Sequence, residues 1–336
     1  MSRNTTIGWT MMHQAIKRLV MGTLALGALA LAAPAQAQTY PTRPIRFIVP
    51  FPAGGVADVT ARLMGQKLTE ALGQQAVIEN RAGASGTLGA DVVAKAPPDG
   101  YTFLLSTGDF VTTPTLMPKM AFDPSKDLVP ISLIATAPLL LGAHVGGSIG
   151  SVNDLLMQAK AEPGKIAFAS PGNGTINHLA IEWLAIEAGI KLQHVPYRGG
   201  VPAATGVAAG DVPIGALTPS SAQPFIEAGK IRPLALMTAQ RPAFAPDWPT
   251  LAESGMSVDA ALWVGLFGPA GLPPAIVQRL EGEVGRILQD ATVRQRLNDL
   301  GTEAAPLGQA AFAERIRRDA ERYAKIIAQV GIRVEP

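Results

Sequence analysis

The chain has 336 residues, with 28 Lys and Arg against 26 Asp and Glu, and it contains no cysteine. Without cysteine, disulfides, thiolate catalysis and cysteine-ligated zinc are excluded, and the near balance of charge gives no sign of a nucleic-acid partner. A chain of this length is large enough to bury a core in each of two domains.

The first 37 residues have the layout of a secretory signal peptide. Arg3, Lys17 and Arg18 precede an apolar run over residues 19–33, and small residues follow at 35–37. An uncleaved membrane anchor is the alternative, but it needs about 20 apolar residues and this run is shorter. Cleavage would leave 25 basic and 26 acidic residues and no cysteine for a lipid anchor. We therefore expect a mature protein that is soluble in the periplasm.

Segments typical of strands and helices alternate along the mature chain, which predicts an α/β fold. A short apolar run over residues 45–50 is typical of a buried strand, and two further strands are predicted over residues 75–79 and 101–106. Between them lie helical patterns over residues 59–72 and 88–96. This first part predicts a βαβαβ order with a parallel sheet and right-handed crossovers.

The later part of the chain repeats this alternation. An apolar run over 131–143 is placed to cross from one lobe to the next. The predicted helices after it cover 152–159, 177–188 and 201–209, and the predicted strands cover 166–169, 192–195 and short stretches near 214 and at 234–237. A further strand at 261–267 precedes helices with one apolar face at 276–288 and 312–330. Periodicity alone leaves open whether these last helices belong to the first lobe, the second or a third.

Two glycine-rich segments, residues 50–58 and 170–178, each lie between a predicted strand and a predicted helix. Glycine allows a tight turn and close approach to a ligand, and the free N–H groups at a helix start attract anions. On opposite lobes, the two segments would hold one carboxylate from both sides. The alternative is that each turn only reverses the chain. The candidate ligand-binding residues in them are Phe51, Ala53, Gly54, Gly55, Asp58, Ser170, Gly172, Gly174, Thr175 and His178.

Two other segments contribute candidates. Tyr197, Gly199 and Gly200 follow the strand at 192–195, and Arg198 between them is a possible partner for a carboxylate. Ser106 and Thr107 follow the third strand, and their hydroxyls are possible donors to the same ligand. Neither glycine segment is a Walker A sequence or a dinucleotide fingerprint, so nucleotide binding is not expected.

The histidines do not have the spacing of a metal site, and we expect neither a metal nor a cofactor. His178 falls in the first turn of a predicted helix, where fixing the loop is favoured over catalysis. A hydrolase that uses Ser170, His178 and Asp211 is a rival hypothesis, although the chain lacks a G-x-S-x-G nucleophile elbow.

Several segments, found in the right order over nearly the whole mature chain, resemble the substrate-binding proteins of tripartite tricarboxylate transporters, also called Bug receptors. They include YPTRPIRFIVPFPAGGVADVTAR, ENRAGASGTLGADVVAKAPPDGYTFLL, FASPGNGTINHLA and HVPYRGGVPA. The resemblance implies a type II periplasmic binding protein fold, with each of two lobes a mostly parallel sheet flanked by helices. It places hinges near Leu139 and Ala261. Lobe 1 would comprise residues 38–139 plus 262–336, and lobe 2 residues 140–261.

The resemblance also implies a function. A receptor of this family captures a small carboxylate, such as a dicarboxylate, tricarboxylate or aromatic acid, and passes it to a two-subunit membrane permease; it is not an enzyme. Many relatives carry an acidic residue where residues 212–217 of this chain have none. We therefore expect an amino-acid ligand to bind poorly, because no acid is there to pair with its ammonium group. An alternative role is ligand sensing that signals to a membrane sensor kinase.

Overall fold

The computed structural model describes residues 40–116 and 120–332, so the predicted signal peptide lies outside the described residues. The strands are β1 (Ile45–Val49), β2 (Ala76–Asn80), β3 (Thr102–Thr107), β4 (Leu128–Pro138), β5 (Leu140–His144), β6 (Ala167–Ser170), β7 (Gln193–Pro196), β8 (Ile214–Leu217), β9 (Ile231–Leu236), β10 (Ala261–Pro269) and β11 (Glu303–Gly308). The helices are α1 (Val56–Leu72), α2 (Thr87–Ala94), α3 (Asp109–Leu116), α4 (Pro124–Asp127), α5 (Val152–Ala161), α6 (Ile176–Ala188), α7 (Gly200–Ala209), α8 (Pro219–Glu227), α9 (Pro274–Ile287), α10 (Ala291–Asp299) and α11 (Gln309–Val330).

The strands form two sheets, with the orders β11-β4-β10-β3-β1-β2 and β7-β6-β8-β5-β9. We call each sheet with the helices packed on it a lobe, the first lobe being the one that contains β1. The predicted two-lobed α/β fold is confirmed. The expected parallel pairing holds for β1 with β2 and β3, and for β6 with β7 and β8. Antiparallel strands extend both sheets, so each sheet is mixed rather than mostly parallel.

In each sheet, the chain places the next two parallel strands on opposite sides of the first one, which is β1 in one sheet and β6 in the other. The chain adds β2 on one side of β1 and then β3 on the other, and it adds β7 and β8 around β6 in the same way. Loops that leave the carboxyl ends of such strands diverge to opposite faces, which opens a crevice where ligands bind in α/β proteins. The loops after β1, β3, β6 and β8 line one common cavity, so the two crevices face each other.

The chain passes between the sheets along two adjacent segments. Leu139 joins β4 to β5, and the return runs from Met237 after β9 to Ala260 before β10. The Met237 N–H donates to the Leu139 carbonyl and the Ala260 N–H donates to the Met237 carbonyl, both at 2.8 Å. Backbone hydrogen bonds thus hold the two passages side by side.

The C-terminal helices pack on the first sheet, which answers the question that periodicity left open. Both α9 and α11 contact β4. Trp263 of β10 meets Phe312 of α11 edge to face, with ring centroids 5.1 Å apart. The indole Nε1–H of Trp263 donates to Asp319 Oδ2 at 2.9 Å. The apolar faces predicted at 276–288 and 312–330 are therefore core-facing. In the described residues, no helix is both long enough and apolar enough to cross a membrane.

We predict that Trp263→Ala lowers the free energy of unfolding by about 3–5 kcal/mol, because it empties a fully buried site and leaves a buried carboxylate without its indole donor. Urea denaturation measures the loss. Met157→Ala is the matched control, since Met157 is 63% exposed and its truncation should change stability by less than about 0.5 kcal/mol. A loss below about 1 kcal/mol in Trp263→Ala would contradict this packing.

Candidate functional site

The crevice between the lobes has two chambers. The inner chamber, with about 440 Å³ of space unfilled by protein atoms, lies between the starts of α1 and α7. The outer chamber, with about 1650 Å³ of such space, lies between residues 82–86 and the loops after β6 and β7. Phe51, Pro52, Asp109 and Pro171 line both chambers, so the two adjoin.

The structure brings most of the predicted site residues to this crevice. Those that line the inner chamber are Phe51, Ala53, Gly55, Thr107 and Gly200. Those that line the outer chamber are Phe51, Gly172, Gly174, Tyr197 and Gly199. The remaining candidates line neither chamber, and they are Gly54, Asp58, Ser106, Ser170, Thr175 and His178. Sequence reasoning did not assign a site role to other lining residues, including Val56, Ala57, Asp109, Asn177, Val201 and Thr218.

Asp58 holds the loop after β1 in shape. Its buried carboxylate accepts hydrogen bonds from the Gly54 N–H (3.0 Å), from Arg62 (3.0 Å) and from Asn80 (2.9 Å). Burial by itself would raise the pKa of Asp58, but these donors outweigh it and hold the pKa below its ordinary value. With its oxygens engaged by the loop's own neighbours, Asp58 supports the site from behind.

The starts of α1 and α7 offer free N–H donors to the inner chamber. Gly55 is the N-cap of α1 and Gly199 is the N-cap of α7, and neither helix receives a side-chain cap. The first N–H groups of a helix have no acceptor inside the helix, and the helix dipole makes that end attractive to anions. The donors that line the chamber belong to Gly55–Ala57 in one lobe and to Gly200 and Val201 in the other.

The start of α6 is different, because the protein itself engages two of its first three donors. Thr175 caps the helix by accepting from the His178 N–H (3.4 Å), and the Gly174 N–H donates to His178 Nδ1 (3.1 Å). The Ile176 N–H donates to Asp109 Oδ1 at 2.8 Å. Among the described residues, no acceptor is found for the Asn177 N–H, and Asn177 lines the inner chamber. This helix start therefore presents fewer free donors than expected, and α7 supplies donors that sequence reasoning did not emphasise.

Asp109 is a buried acid in the wall of both chambers. Desolvation raises the pKa of its carboxyl, although hydrogen bonds from the Thr107 hydroxyl (2.5 Å) and from the Ile176 N–H oppose the rise. Each carboxylate oxygen thus has a partner. Asp109 follows β3 by two residues, so its position at the carboxyl end of that strand is the signal that would have identified it.

A buried cluster of Ser170, His178 and His194 supports the loop after β6. Ser170 Oγ lies 2.7 Å from His194 Nε2 and donates to the Gly172 carbonyl at 3.0 Å. The two imidazole rings stack with centroids 3.6 Å apart. Ser170 is fully buried and is paired with His194, not with His178 as the hydrolase hypothesis requires.

Among the described residues, no group of three or more His, Asp or Glu is placed to hold a metal ion.

We predict that this cluster makes stability depend on pH. Burial, together with the neighbouring His178, lowers the pKa of His194 from 6.5 to about 3. The folded state keeps His194 neutral while the unfolded chain binds a proton below pH 6.5, so the free energy of unfolding falls as the pH drops through this window. The contribution is at most about 1.4 kcal/mol per pH unit.

Urea denaturation at a series of pH values from 7 downwards measures this slope, and His194→Gln should make it shallower. Met157→Ala, which alters an exposed side chain far from any histidine in sequence, should keep the wild-type slope. Equal slopes in His194→Gln and the wild type would show that His194 is not the group responsible.

Comparisons with known proteins agree with this architecture. Residues 60–332 match the family model described as tripartite tricarboxylate transporter family receptor. The chain is 34% identical over 311 residues to the protein BugT of Bordetella pertussis, which covers 91% of this chain and 94% of BugT.

Two solved structures are also similar. An R. palustris protein with adipate has a TM-score of 0.84 and 34% identity, covering 88% of this chain and 99% of that one. MatC from Rhodopseudomonas palustris with bound malate has a TM-score of 0.79 and 30% identity, covering 86% of this chain and all of that one. The resemblance found in the sequence is confirmed. This chain belongs to the tripartite tricarboxylate transporter receptor family, whose members are solute-binding receptors and not enzymes.

Proposed function

We propose that this protein is a soluble periplasmic receptor that binds a small carboxylate in the inner chamber and delivers it to a two-subunit membrane permease. The observation that carries the proposal is the convergence of two uncapped helix starts, one from each lobe, on a single chamber. A carboxylate is the ligand group that suits such a place, since its oxygens accept several N–H bonds at once.

The helix starts account for part of the affinity. Each contributes about 0.3–1 kcal/mol, and up to about 2 kcal/mol when partly buried. A micromolar ligand gains about 8.2 kcal/mol in total, so other contacts must supply most of it. The apolar side chains of Phe51, Val201 and Leu262 in the same chamber are placed to cover the hydrocarbon part of a ligand.

Because the two chambers adjoin and share four lining residues, we favour a ligand with a second polar group. Such a group would extend into the outer chamber, which Tyr197 and the exposed Arg198 line. The structural relatives that contain adipate and malate are dicarboxylate complexes, which agrees with this reading. We also propose that amino acids bind poorly, because β8 (Ile214–Leu217) carries no acid and both oxygens of Asp109, the acid in the chamber wall, are already engaged by the protein.

Lobe closure follows from the same geometry. We place the hinge in the two adjacent passages, at Leu139 and at 237–261. The first lobe then comprises residues 38–139 and 262–336, and the second lobe comprises residues 140–261. A ligand that contacts α1 and α7 together binds the closed arrangement better than the open one. It therefore shifts the population toward closure by that difference in affinity.

We predict that small carboxylic acids raise the melting temperature of the purified protein and that the corresponding carboxamides do not. The reason is that an amide lacks the charge that the helix starts favour. An acid at 100 times its dissociation constant stabilises the folded state by about 2.7 kcal/mol. A thermal-shift screen of mono-, di- and tricarboxylates measures this effect. Equal shifts for acids and their amides would argue against the proposed site.

We predict that Gly54→Val weakens binding of the acid identified in that screen by about tenfold or more, as measured by calorimetry. Gly54 has φ +86°, and an added Cβ would lie 3.3 Å from Val201, between the starts of α1 and α7. Gly73→Val is the matched control: Gly73 has φ +69° at the other end of α1, and an added Cβ meets nothing there. Both variants introduce similar backbone strain of about 1–2 kcal/mol, so equal affinities of Gly54→Val and Gly73→Val for the acid would contradict the proposal.

A further inference from the structure

Three hydrogen bonds join the lobes beside the chambers. The Ile176 N–H at the start of α6 donates to Asp109 of the first lobe at 2.8 Å. Thr112 of the first lobe donates to the Gly174 carbonyl at 2.9 Å, and Ser85 of the first lobe donates to the Asn173 carbonyl at 2.9 Å. The first of these bonds has a side-chain carboxyl oxygen as its acceptor, whereas the acceptors of the other two are backbone carbonyls.

The contact between Asp109 and α6 has the chemistry expected of a bound ligand. A carboxylate from one lobe accepts from the first N–H of a helix in the other lobe, and this is the arrangement by which a carboxylic acid would bridge them. The Thr107 hydroxyl holds the second oxygen of Asp109 at 2.5 Å, so the carboxylate is fixed in orientation. The residue is buried, with 5% of its surface exposed.

This geometry has two consequences. First, Asp109 takes the Ile176 N–H, so the donors left to a ligand carboxylate are the Asn177 N–H and those at the starts of α1 and α7. Second, the bond between Asp109 and Ile176 stabilises contact between the lobes without requiring a ligand. The acceptor in this bond is a buried carboxyl oxygen whose partner oxygen is also engaged, by Thr107, whereas the bonds from Thr112 and Ser85 end on backbone carbonyls.

We propose that Asp109 is a positioning residue that acts as a built-in substitute for a ligand carboxylate, latching the two lobes together at the start of α6. The inference rests on the proposed receptor function, because a latch matters only for a protein whose lobes open and close. It adds to that function a closed population that exists before the ligand arrives and raises the apparent affinity.

The test measures the distance between the lobes in the absence of any candidate ligand. Because the chain has no cysteine, Glu162→Cys in the second lobe and Gln278→Cys in the first, both exposed, take one spin label each. Pulsed electron–electron double resonance then gives the distribution of distances between the two labels, and from it the populations of closed and open protein. We expect Asp109→Ala to lower the ratio of closed to open protein by about tenfold.

Added formate should restore the closed population of Asp109→Ala, because it supplies the missing carboxylate at the start of α6. Asp109→Asn keeps an acceptor for the Ile176 N–H but removes the charge, so its closed population should fall by less and should not respond to formate. Ser85→Ala is the matched control: it removes a neutral bond between the same lobes, and Ser85 makes no hydrogen bond to Asp109 among the described residues, so formate should not rescue it.

Equal closed populations in the wild type, Asp109→Ala and Asp109→Asn would overturn the latch. A formate response as large in Ser85→Ala as in Asp109→Ala would also overturn it, because formate would then act elsewhere, for example in the inner chamber. Either result leaves the proposed function standing. That function fails separately, if no carboxylic acid stabilises the wild-type protein in the thermal-shift screen.

Discussion

Free backbone N–H groups at the beginnings of two helices are the feature on which the rest of this molecule depends. The donors of α1 and α7 come from different lobes and meet at one chamber. Neither helix has a side-chain cap, because glycine stands at both N-cap positions. A serine or aspartate there would satisfy the helix from within and remove the site for an anion. The cost of leaving these donors uncapped is tolerable only where a ligand or water can reach them.

Most of the surrounding polar groups serve to keep these donors in place. Asp58 fixes the loop before α1, and the cluster of Ser170, His178 and His194 fixes the loop before α6. Asp58 is paired with Arg62, and the Ser170–His178–His194 cluster is bonded within the protein, so both add rigidity without an unpaired charge that competes for the ligand. The strand order explains why the loops meet. Each sheet reverses around β1 or β6, and the crevices that result face each other between the lobes.

The elements that the sequence predicted well are those whose pattern follows from local burial. Strands β1 to β3 are short apolar runs, and α9 and α11 each show one apolar face. The sequence did not predict β11 (Glu303–Gly308), which contains Pro306, is only half-buried and pairs at the edge of its sheet. It also missed α10 (Ala291–Asp299), because only Val293 and Leu297 of that polar helix are buried. Both elements depend on neighbours that are distant in the chain.

The sequence by itself determined the two-lobed α/β class, the family and the positions of the glycine-rich turns, since apolar periodicity and glycine act within a few residues. It identified the start of α6 as an anion site for the same local reason. Only the tertiary structure showed that Asp109, 67 residues away in sequence, already occupies the first donor of that helix, the Ile176 N–H. Whether a helix start is free depends on which group lies within about 3 Å of it, and that distance is set by the packing of one lobe against the other.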